Sequence, residues 1–135
     1  MKKLLSTQYK EWAFNTAMFV IRVTAGLLIM SHGYDKLVHF AEKKNSFMNL
    51  LGMGSSISLM LAIFSEFFCS LFLMIGLFTR IVAIPLVIEM TVVLFKAHNG
   101  DFFGKGEMGA LFLALFLTIL LCGPGKASVD GVMGK

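Results

Sequence analysis

Four long apolar stretches run through this 135-residue chain, and they constrain its fold more than any other feature. They cover 13–37, 57–78, 80–98 and 107–123. A hydrocarbon layer about 30 Å thick takes about 20 mainly apolar residues when crossed by a helix. The first two stretches reach that length. The last two are shorter and fit a locally thinned bilayer. Strands are disfavoured, because no stretch alternates cleanly and a spanning barrel needs at least about eight strands of about 10 residues. Hydrophobic residues make up 57% of the chain and charged residues 15%, against about 45–50% and about 25% in a soluble domain. That balance excludes a disordered chain. Two cysteines exclude a disulfide-rich secreted scaffold. The expectation is an all-α integral membrane four-helix bundle in one domain, 1–135.

The net charge of +4 does not point to nucleic acid. The lysines lie at the termini or between apolar stretches, where anionic headgroups sit, and no basic stripe carries interleaved aromatics. The start Met1-Lys2-Lys3-Leu4-Leu5 resembles a signal-peptide opening. Glu11 and Trp12 come soon after it, however, Arg22 interrupts the first apolar stretch, and no small-x-small cleavage site closes a short core. The first stretch therefore reads as a membrane helix.

The connections differ. Leu77-Phe78-Thr79-Arg80 is a tight turn that makes helices two and three antiparallel neighbours. Asn99 to Gly106 is a glycine-rich loop. The segment 38–56 mixes Phe40, Phe47 and Leu50 with Glu42, Lys43 and Lys44, a pattern for a short interfacial or re-entrant piece. The tail from Gly123 is polar and leaves the membrane. Small residues Ser58, Ala62, Ser65, Cys69 and Gly76 mark one stripe of helix two, and Ala110, Ala114 and Thr118 one stripe of helix four; such stripes let helices approach in lipid. Pro85 suggests a kink in helix three. Positive charges divide six to five between the two sides, so Lys2, Lys3 and Lys10 before the first helix tip both termini to the cytoplasm.

An ionisable residue at depth costs at least about 2.5–3.5 kcal/mol, so it marks a site. Arg22, Glu66 and Glu89 are three such residues. At 1.5 Å per residue, Arg22 lies roughly 21 Å and Glu66 roughly 13 Å below the face where helix one ends. Long side chains span that difference, and an Arg22–Glu66 ion pair is expected, as a ligand site or as a clamp between helices. On the same face His32 and Lys36 close helix one, His98 closes helix three and Glu107 opens helix four. Together they form a polar vestibule able to carry protons. No short ligand spacing supports a metal or a haem. Glu89 shares a helix face with Lys96 and opposes His98, so Lys96 or another subunit is its expected partner. Cys69 and Cys122 are not a C-x-x-C pair and read as inert thiols.

These pieces together resemble the DoxX family of small four-helix bacterial membrane proteins. The resemblance rests on Arg22-x-x-x-Gly26, His32-Gly33-x-x-Lys36-Leu37, Glu66, Gly76-Leu77-Phe78-Thr79-Arg80, Met90, His98, Glu107 and Gly123-Pro124-Gly125-x-x-Ser128-x-Asp130. It spans Arg22 to Asp130; Glu89 and the cysteines fall outside it. It implies a multi-pass protein of the bacterial cytoplasmic (inner) membrane and an oxidoreductase-associated role. On that footing the first functional expectation is a subunit binding quinone or a similar small redox ligand. Arg22, Lys36 and Glu107 would bind it, and Glu66, His32 and His98 would handle protons. A soluble or membrane redox protein would be the partner, and a homo-oligomer fits as well. Two other readings use the same residues: a non-catalytic adaptor or assembly partner for a soluble redox enzyme, and a small permease. No dinucleotide loop or iron–sulfur cysteine set supports catalysis by this chain alone.

Overall fold

A computed structural model describes residues 4–45, 54–97, 103–104 and 106–134. Every regular element among them is helical. Helix α1 spans Glu11–Val38 and is followed by a single turn, α2, at Phe40–Lys43. Helix α3 runs Ser55–Ile75, with a π turn at Phe64–Cys69 set into its middle. Helix α4 covers Thr79–Val92 and continues as a π turn over Val93–Ala97. Helix α5 is Glu107–Cys122, and one last turn, α6, is Val129–Val132. Of the segment 38–56, the single turn α2 is observed, while 46–53 lie outside the described residues.

Helix α1 packs on α3 and α5, and α4 packs on the same two, so the four long helices close a ring. Each contributes a stripe at helical spacing. On α1 it is Met18, Arg22, Ala25, Gly26, Ile29 and Gly33. On α5 it is Gly109, Phe112, Phe116 and Ile119, not the expected Ala110, Ala114 and Thr118. The phenylalanines fill the centre of the ring, and that turns the alanine stripe towards the side. The expected stripe on α3 is buried as read, from Ser58 to Gly76.

Outside the ring lies an apolar belt. Leu27, Leu28, Ile57, Phe64, Ile81, Ile88 and Leu111 are all exposed. Exposed apolar surface of that extent marks contact with membrane or protein. Helices α1 and α3 are each long and apolar enough to cross a bilayer; α5 is apolar but shorter.

Helix α3 stops at Ile75, three residues short of the sequence estimate. Gly76 adopts φ +77°, and Leu77 N–H donates to Phe72 O at 3.0 Å while Gly76 N–H reaches Leu73 O at 3.1 Å. This is a Schellman ending, which requires a left-handed residue that only glycine adopts readily. Pro85 sits inside α4 without ending it. The tail does not trail away. It folds back across the end of the ring, where Lys126 N–H donates to Asn15 Oδ1 at 3.0 Å and Asp130 N–H to Gly76 O at 2.9 Å.

Candidate functional site

Two polar centres lie at opposite ends of the ring. At the tail end, Arg22 is 1% exposed. Its Nε donates to Met74 O at 3.3 Å, and its two terminal nitrogens to Pro124 O at 2.5 Å and Ala127 O at 2.7 Å. One guanidinium therefore ties α1 to the end of α3 and to the tail. Asp130 completes the knot. Its carboxylate accepts from Phe78 N–H at 3.0 Å and Thr79 N–H at 2.9 Å, at the N-terminus of α4, where N–H groups have no partner within the helix. Phe78 has φ +50°, strained for an aromatic residue, and Asp130 holds it there.

Arg22 is thus not the partner of Glu66. Side chains on an α-helix lean towards its N-terminus. Arg22 on α1 leans towards the tail end, away from Glu66. Lys36, at the other end of α1, leans back into the ring. Helix α3 runs antiparallel, so Glu66 leans towards Lys36. The two form an ion pair through Lys36 Nζ and Glu66 Oε2. Depth along the helix was the right measure of burial, since Glu66 is 3% exposed, but side-chain direction decides the partner.

Two local features bring this pair together. Gly33 lies against the backbone of α3: a Cβ there would stand 2.7 Å from Glu66 C and 2.8 Å from Phe67 N. Only glycine lets α1 come this close. The π turn holds Glu66 itself. Such a turn bulges the helix and frequently marks a functional position. A cavity of about 250 Å³ opens on the pair, lined also by His32, Ile29, Met90 and Phe112. His32 is otherwise exposed and meets Phe112 edge-on at 6.3 Å between ring centres.

Of the residues singled out from the sequence, His32, Lys36 and Glu66 converge on this cavity. Arg22 belongs to the other centre. Glu107 is the exposed first residue of α5, a favourable place for a carboxylate at a helix N-terminus, and does not line the cavity. His98 and the Lys96 side chain lie outside the described residues. Glu89 lies beside Glu66 and Ser65, within side-chain hydrogen-bonding reach of each, and in electrostatic range of Lys36. Both cysteines are free thiols, Cys69 buried and Cys122 exposed. Among the described residues no three His, Cys, Asp or Glu side chains gather as metal ligands. Sequence reasoning missed the task of Asp130. Its signal was the free N-terminus of α4, which follows a tight turn and has no Ser, Thr or Asp of its own at the cap.

A ring of apolar helices, an exposed apolar belt and two charged centres, one buried and one half-buried, define a helical membrane protein. A family model described as DoxX matches residues 17–99, more than half of the chain, and the chain belongs to that family. A protein of Haemophilus influenzae, described only as uncharacterized, is 28% identical over 125 residues, covering 85% of this chain and 89% of that one. No solved structure matches the chain.

Proposed function

We propose that this chain is a four-span protein of the bacterial inner membrane that binds a quinone or a similar small redox ligand beside Lys36 and Glu66, as part of an oxidoreductase. The observation that carries the reading is the pair of half-buried Lys36 and buried Glu66 opening onto a mostly apolar cavity. Such a site, mostly apolar with a few convergent polar groups, suits a small ring with polar atoms on its edge. The Lys36 ammonium is a donor for a carbonyl oxygen. The Glu66 carboxylate and the His32 imidazole are groups able to take up and release a proton. Ile29, Met90 and Phe112 exclude water from the ring's faces. A quinone supplies reversible two-electron, two-proton chemistry when bound; electrons would come from a partner protein. Lys2, Lys3 and Lys10 favour both termini in the cytoplasm.

Photolabelling tests the site. An azido-quinone irradiated with the protein in nanodiscs is expected to label peptides of α1 around Ile29–Lys36 and of α5 around Met108–Phe112. Excess unlabelled quinone should compete, and Lys36→Gln should reduce the label. Label spread evenly over the lipid-facing belt, indifferent to competitor and to Lys36→Gln, contradicts the reading.

A further inference from the structure

A second cavity, about 270 Å³, lies between α3 and α4 on the outer side of the ring. Its walls are mostly apolar, with Ala62, Pro85 and Val92 beside Ser58 and Ser65, and its rim is formed by Leu61, Phe64 and Ile88. All three rim residues are exposed members of the apolar belt. The cavity therefore opens sideways towards acyl chains. Glu89 lines it. The Oε2 atom of Glu89 is buried and has no hydrogen-bond partner.

A buried carboxylate oxygen without a partner is costly, so its presence calls for a donor. Charge selects the kind of donor. Lys36 carries one positive charge, and it is already paired with Glu66. Glu89 beside them is a second carboxylate with no counter-cation of its own among the described residues. Lys36 offsets one of the two carboxylates, and in the empty groove a proton between Glu66 and Glu89, which lie within hydrogen-bonding reach of each other, offsets the second. An amine entering from the bilayer would take up that proton as its ammonium, and its N–H would donate to Glu89 Oε2, so that charge stays balanced and the missing hydrogen bond is made. The cavity is slightly smaller than the roughly 300–1,000 Å³ of pockets that enclose drug-sized ligands. It holds a head and the first part of a body, leaving the rest among the lipid chains.

We infer that the groove between α3 and α4 binds a lipophilic amine, with its protonated nitrogen on Glu89 and its apolar body running out past Leu61, Phe64 and Ile88. This site is independent of the quinone reading: it faces lipid, uses a residue outside the family pattern and survives if no quinone binds beside Lys36.

The test is a fluorescence titration of the full-length protein in nanodiscs with dansylcadaverine, a primary amine on an apolar fluorophore. N-butyl dansylamide, which carries the same fluorophore and no amine, is the neutral control. Saturable binding of the amine is expected, with the neutral compound weaker by about tenfold or more, as for loss of a hydrogen bond to a charged group. Glu89→Gln should remove that difference, and Val92→Phe, which keeps the carboxyl and fills the groove, should weaken both compounds. Lys36→Gln should leave amine binding in place, which separates this site from the quinone site. Equal binding of amine and neutral compound, or amine binding unchanged by both Glu89→Gln and Val92→Phe, overturns the inference. So does a dimer of the wild-type protein that Glu89→Gln dissociates while no amine binds, since a second copy would then cover the groove.

Discussion

Arg22 and Lys36 share one helix and serve opposite ends of the molecule. Arg22 directs its donors to three backbone carbonyls, a task for which the planar guanidinium fork is suited and a lysine is not. Arg22→Met should therefore lower the melting temperature in detergent, by at least about 2 kcal/mol of stability, because buried carbonyls lose their donor. Arg22→Lys should recover only part of the loss. The folded fraction of either variant should keep any ligand beside Lys36. Loss of ligand without loss of stability would instead return Arg22 to the binding site. Gly33 offers the converse case. A methyl group there meets Glu66 and Phe67 backbone atoms at 2.7–2.8 Å. Backbone cannot swing aside as a side chain can, so Gly33→Ala should cost about 1–3 kcal/mol and separate Lys36 from Glu66. An unchanged thermal melt would show that α1 and α3 have room to spare.

At the scale of elements, the ends of helices carry most of what the sequence left open. Helix positions were legible, because apolar stretches of membrane length leave little choice of conformation. The partner of Glu66 was not, because spacing along a helix gives depth and face but the lean of the side chain decides which neighbour it meets. The π turn at Phe64–Cys69 carries no sequence signature of its own. The tail reads in the sequence as a polar exit, yet its Pro124 and Ala127 carbonyls and Asp130 carboxylate finish both α3 and α4. Gly76 is where these ends meet: a Cβ there would lie 2.3 Å from Ser128 Cβ, and its φ is +77°. Gly76→Ala should lift the tail off the ring and let trypsin cut after Lys126, whose side chain is already exposed but whose backbone is held by Asn15, while helical content, read by circular dichroism, stays near wild type. Continued protection of Lys126 would mean the tail docks without this joint.

Taken whole, the molecule keeps its two polar centres at opposite ends of the ring. The tail end is closed by a knot of backbone hydrogen bonds around Arg22 and Asp130. The other end carries an ion pair, a histidine and a cavity. Between them lies the belt of exposed Leu, Ile and Phe. If lipid covers that belt, a Phe64→Trp reporter in a Trp12→Phe background should be strongly quenched by brominated lipids. A reporter that lipids leave bright would place Phe64 against protein instead.

The claim that joins these scales is that Lys36 and Glu66 hold a redox ligand while Arg22 holds the fold. The direct measurement is mass spectrometry of organic-solvent extracts from gently solubilised wild type, Lys36→Gln and Arg22→Lys. Stoichiometric quinone is predicted in the wild type and in folded Arg22→Lys, with most of it lost from Lys36→Gln. Phospholipid alone in all three extracts, or quinone that tracks Arg22 rather than Lys36, would contradict the account.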